Sequence, residues 1–211
     1  MSLLALAFAF VAHAQSYPKL FFSYSSLYDA NCPAEMRPSP AAVEEILTRT
    51  GEFAAAWQAQ GPALMAALFN LTGKGFSRSE LTATLSGCRD LPSISDPLVL
   101  NVTRYLRIER GARARNLDQF VDLVFHEMLH TWVGENLPRQ TQLLHKYADE
   151  SRLVRSHLHL MALQVMVYRR AGRTDLLSWI EVFYPSMSGE YPRAWEIVQV
   201  EGAEAFFAEL P

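Results

Sequence analysis

The chain has 211 residues, 50% of them hydrophobic and 19% charged, with a formal net charge of −3. That length holds one domain with a sizeable core and needs no metal or disulfide as a staple. The composition excludes intrinsic disorder, a disulfide scaffold and a global attraction to nucleic acid.

Met1 to Ala14 read as a targeting signal. Leu3 to Ala12 form an apolar run too short to span a bilayer, which takes about 20 residues. Ala12-His13-Ala14 then places small residues where a signal peptidase cuts, before Gln15. No Lys or Arg precedes the run. The expected mature protein, residues 15–211, is a single exported domain. It is secreted or periplasmic, monomeric and without stable membrane insertion. In an oxidising compartment Cys32 and Cys88 are available to one another, with two buried thiols as the alternative.

Along the mature chain, Lys19 to Ser25 reads as a short aromatic strand. Ser39-Pro40 starts a helix that Gly61-Pro62 is expected to interrupt, with a second helix running to Leu71. Glu80 to Ser86 and Pro97 to Arg104 read as strands. From Leu117 the apolar period becomes helical through Phe120, Val121, Val124 and Met128. A long helical pattern follows from about Tyr147 to Arg170, and the remainder is helical with a break around Tyr184 to Pro192. Strands come early and helices late. The expected fold is therefore α+β and predominantly helical, with a small N-terminal sheet before a helical half.

The chemistry lies in His126-Glu127-Met128-Leu129-His130, an HExxH pattern within the helix that starts at Leu117. Residues i and i+4 share a helix face, so both imidazoles can reach one metal ion. Glu127 then overhangs the open coordination position as a general base. Nitrogen ligands with a carboxylate base suit Zn²⁺. Five of the six histidines fall between His126 and His159.

At this motif the chain resembles the zincin metallopeptidases. The metzincin continuation HxxGxxH is absent, because Val133 and Asn136 stand where its glycine and third histidine belong. In the gluzincin branch, which includes the thermolysin-like enzymes, a glutamate on a second helix is the third ligand. The resemblance covers about Leu117 to Arg170 and implies that role for Glu150, 20 residues beyond His130. The carboxylate common one turn later in thermolysin-like enzymes is replaced here by Val154.

His157 is the alternative third ligand, seven residues after Glu150 on the same face of the expected helix. If Glu150 binds the metal, His157 is free to donate to the oxyanion formed at the scissile carbonyl. If His157 binds it, Glu150 can orient a ligand histidine. Asp122, one turn before His126, can hold that imidazole's other nitrogen. Tyr184, Tyr191 and Arg193 lie in a late loop that can bring a phenol or guanidinium to the oxyanion. The resemblance also implies an edge strand at Leu98 to Thr103 that aligns an extended peptide. Arg104 to Arg115 contains five arginines and reads as a solvated helix face or loop, or as an attractor for an anionic surface or a substrate carboxylate. The function expected is an exported zinc peptidase acting on peptide or protein substrates. Its alternatives are an amide hydrolase on a cell-wall fragment and a non-catalytic zinc-containing binding domain.

Overall fold

The computed structural model describes residues 17–89 and 91–210. The segment read as a targeting signal lies outside them. Two short elements open the described chain, strand β1 (Lys19–Tyr24) and helix α1 (Ser26–Ala30). Helix α2 (Pro40–Thr72) crosses over to β2 (Glu80–Ser86), which pairs with β1 in parallel from Lys19 opposite Glu80 to Tyr24 opposite Leu85. A two-residue strand, β3 (Ile94–Ser95), and β4 (Leu98–Asn101) complete the sheet. Its order is β1-β2-β4-β3, with β4 parallel to β2 and β3 antiparallel to β4. The strand at Leu98 is therefore an inner one. The sheet edge on that side belongs to Ile94 and Ser95, which the sequence reading left unassigned.

After the short α3 (Arg107–Arg110), the chain is helical: α4 (Leu117–Asn136), α5 (Gln142–Lys146), α6 (Arg152–Arg170), α7 (Thr174–Ser186), α8 (Tyr191–Glu201) and α9 (Ala203–Phe207). The fold is thus mixed α and β, mostly helical, with a small four-stranded sheet. None of the helices in the described residues is long and apolar enough to cross a membrane.

Local chemistry sets the helix boundaries. Ser39 caps α2 by accepting from the Ala42 N–H, Pro40 supplies the first turn, and Gly73 ends it in the left-handed region at φ 67°. The expected interruption at Gly61-Pro62 does not occur, and α2 runs straight through both residues. The Trp57 ring lies where a Cβ at position 61 would be. Glycine thus lets an indole cover the turn that Pro62 weakens, and burial outweighs the one lost hydrogen bond.

Asn116 and Gln119 form a reciprocal capping box at the start of α4. Ser151 caps α6 by accepting from the Val154 N–H. That cap starts the helix at Arg152 rather than near Tyr147. Glu150 consequently sits ahead of the helix, outside its regular face.

Helix α6 organises the core. Residues 157–165 are buried without interruption, because α2, α4, α7, α8 and α9 pack around them. Helix α4 packs on α2 and α6 and against β3 and β4. On the sheet side, Phe53, Tyr105 and Phe120 pack ring to ring with centroids 4.6 to 6.4 Å apart. Cys32 and Cys88 form a disulfide that ties the end of α1 to the end of β2. Asp29 adds to this junction through hydrogen bonds from the Ser86 hydroxyl at 2.6 Å and the Gly87 N–H at 3.0 Å.

Candidate metal centre

His126 and His130 project from one face of α4 toward α6, which returns His157 to meet them. Their nitrogens converge, with one ligand atom from each lying within 4.8 Å of the other two. The ring centroids are 5.0 Å apart for His126 and His130, 5.4 Å for His126 and His157, and 4.6 Å for His130 and His157.

Glu150 does not join this group, contrary to the role the gluzincin resemblance implied. Its carboxylate accepts from the Arg193 guanidinium at 2.7 and 2.9 Å. The reason is the α6 cap at Ser151, which leaves Glu150 two residues before the first helical residue while His157 lies well inside the helix. Arg193, expected near an oxyanion, is occupied by Glu150 and Glu196 instead.

The hydrogen bonds fix two of the three tautomers. The Tyr184 hydroxyl donates to Gln164 Oε1 at 2.6 Å, so its oxygen accepts from His126 Nδ1–H at 2.9 Å. The His157 Nδ1–H donates to the Leu153 carbonyl at 2.8 Å. In both rings Nε2 is left as the lone-pair nitrogen. His157 Nε2 is buried with no hydrogen-bond partner, and an orphaned buried acceptor is rare unless something else satisfies it.

Burial holds all three imidazoles below their ordinary value, and neighbouring rings lower His126 and His130 further. His130 falls to about 3. The rings are therefore neutral, as metal ligands must be. Three neutral imidazoles in this geometry could hold a metal ion, and the donor set fits one.

Behind His126 lies a polar relay. Gln164 Nε2 donates to Asp122 Oδ1 at 2.6 Å, the Tyr168 hydroxyl donates to the same oxygen at 2.6 Å, and Trp179 Nε1 donates to Oδ2 at 3.1 Å. Burial pushes the Asp122 carboxyl up to about 6 against these three donors. Asp122 was expected to touch His126. It acts instead through Gln164 and Tyr184. Tyr184 was read as part of a loop, yet it is a buried residue in the last turns of α7. Gln164 was missed by sequence reasoning. Its signal was a polar residue in an otherwise apolar run, seven positions after His157 and so on the same helix face.

Glu127 is buried beside the cluster. Burial raises its carboxyl to about 7, opposed by its hydrogen bond with Ser95. Ser95 belongs to β3, and its carbonyl also accepts from Thr131 Oγ1 at 3.4 Å. The edge strand and the helix that carries His126 and His130 are thus in direct contact. Tyr191, at the start of α8, sets its ring edge-on to His157 with centroids 4.8 Å apart. Burial, then the nearby Glu127 carboxylate, raise its phenol above the ordinary value. His159 is turned away from the cluster and bonds Glu209 at 2.8 Å.

A cavity of about 380 Å³ opens here. Its walls come from His126 and Glu127 of α4, from Tyr184 and Tyr191 of the α7–α8 junction, and from the segment that follows β4. Comparison with known proteins finds no matching family model, no matching curated protein and no matching solved structure.

Proposed function

We propose that this protein is an exported zinc-dependent metallopeptidase in which His126, His130 and His157 hold Zn²⁺ and Glu127 is the general base. The observation that carries this reading is the buried, unpartnered Nε2 of His157, aimed at two further neutral imidazoles beside a buried glutamate and an open cavity. Held by these three imidazoles, Zn²⁺ would supply Lewis acidity toward water and a substrate carbonyl.

The chain's own groups do the rest. Glu127 accepts the proton of the attacking water and carries it to the leaving amine. Its enclosure suits this task, because a carboxyl held near neutrality can both take and return a proton. Tyr191, which lines the same cavity, donates to the oxyanion that forms at the scissile carbonyl. Tyr184, Gln164 and Asp122 position His126. The third ligand is an imidazole rather than the gluzincin glutamate, and it comes 27 residues after His130, well beyond the metzincin spacing. The proposed site is therefore zincin-like, with its third ligand supplied by a second helix. The disulfide between Cys32 and Cys88 supports an oxidising compartment.

Two measurements test the reading. Purified protein is expected to contain about one zinc per chain. Glu127→Gln is expected to abolish cleavage of a peptide library while keeping that zinc, since Glu127 is not a ligand. Absence of zinc, or cleavage that survives the substitution, would overturn the mechanism.

A further inference from the structure

Part of the arginine-rich segment between β4 and α4 turns toward the cavity. Arg104, Arg110 and Arg115 line the same cavity as His126 and Glu127, whereas Arg107 and Arg113 do not. The segment is folded to bring them together: the Arg115 N–H donates to the Arg104 carbonyl at 2.8 Å. The Arg115 guanidinium is held by aromatic rings, lying 4.5 Å from the centroid of Phe183 and 5.4 Å from that of Trp179. Neither Arg110 nor Arg115 makes an ion pair with a carboxylate among the described residues. By contrast, Arg49, Arg78, Arg169, Arg173 and Arg193 are each neutralised by an acidic partner.

Only two carboxyls face this cavity among the described residues, Asp122 and Glu127. Asp122 is enclosed by its three donors and feels the Arg115 charge without forming an ion pair with it, and Glu127 sits at the histidine end. Among the described residues, the wall supplied by this segment thus presents the guanidiniums of Arg110 and Arg115 to the cavity with no carboxylate in an ion pair with either. Guanidinium groups recognise carboxylates in a fork geometry and retain their charge in a partly dry site.

We propose that this wall binds a substrate carboxylate, so that the enzyme selects peptides bearing a free acid group close to the bond that is cut. The proposal rests on the peptidase reading for the word substrate, while the carboxylate site itself does not need catalysis. A carboxylate can come from a chain terminus or from an acidic side chain. Both present the same two oxygens to the arginines.

The test uses the full zinc-loaded chain carrying Glu127→Gln, so that bound peptide is not consumed. Four fluorescein-labelled probes are compared by anisotropy: a tetra-alanine acid, its amide, an amidated peptide with one interior glutamate, and its glutamine counterpart. The acid of at least one pair is expected to bind about 10- to 100-fold tighter than its neutral partner. Preference within the first pair identifies a chain terminus, and within the second an acidic side chain. Adding Arg110→Ala is expected to remove most of that preference, and Arg115→Lys, which keeps charge but not the fork, to reduce it. Equal binding within both pairs, or a preference indifferent to both substitutions, overturns the proposal.

Cleavage by the unsubstituted enzyme separates this proposal from the one beneath it. Peptides cut without any acid preference leave the peptidase and remove the carboxylate site. Arginine-dependent acid binding with no peptide cut leaves the carboxylate site and removes the peptidase.

Discussion

The two anchored imidazoles rest on main acceptors that differ in kind. His157 leans on a backbone carbonyl that no substitution can delete, whereas His126 leans on the Tyr184 hydroxyl. Tyr184→Phe therefore strands the His126 Nδ1–H without removing any ligand. Metal affinity is expected to fall about 10- to 100-fold, read by competition with a chromophoric chelator. His157→Ala is expected to empty the site altogether, because two imidazoles remain. Glu150→Ala should leave zinc content unchanged. Its carboxylate serves Arg193, and metal loss in that variant would reinstate it as a ligand. The pair His126 and His130 was legible from sequence, since a four-residue spacing means one helix face. The choice between Glu150 and His157 was not, because it turns on a single cap residue. Ser151 decides where the helical count begins, which leaves Glu150 ahead of the helix with Arg193 and His157 inside it facing the other two imidazoles.

At the level of elements, α4 carries both a motif and its own start signal. The capping box of Asn116 and Gln119 satisfies donors that the first turn would otherwise leave open. Asn116→Ala is expected to cost about 1 kcal/mol, measured as a lower urea midpoint, with zinc content intact. Helices with such punctuation were readable in advance, as were β1 and β2 from their alternating, β-branched sequences. Helix α6 was misread at its start for a physical reason. Leu143, Leu144 and Tyr147 pack on the core from α5 and the turn after it, so the apolar period continues across a real break. The two-residue β3 was invisible because pairing with β4, rather than any local propensity, makes it a strand. In α2 the Gly61-Pro62 pair is a strong stop signal, and the packing of Trp57 overrides it.

Over the whole molecule, a covalent link and the burial of ionisable groups set the working conditions. The disulfide closes a separation of 56 residues. Replacing both cysteines by alanine is expected to cost up to about 4 kcal/mol, read by urea unfolding, with the metal cluster unaffected. Acidity acts through the four enclosed histidines, His126, His130, His157 and His159, all held below the ordinary imidazole value chiefly by burial. Once unfolded they take up protons below about pH 6.5. The unfolded state then binds more protons than the folded one, and stability falls as pH falls. Asp122 and Glu127, both raised by burial, oppose this because the folded chain keeps their protons in the same window. Four groups outweigh two, so the metal-free protein is expected to show a lower urea midpoint near pH 5.5 than near pH 7.5. An equal or higher midpoint at the acid value would mean that the imidazoles are not held neutral.

The enclosure of α6 has one more outcome. Residues 157–165, buried against five other helices, cannot swing out alone, so backbone amides in 160–165 should exchange with solvent only when the entire domain opens. His157 stands at the beginning of that stretch. His157 is thus tied to the slowest-opening segment of the chain, and its backbone amide should stay protected in the metal-free folded protein as well.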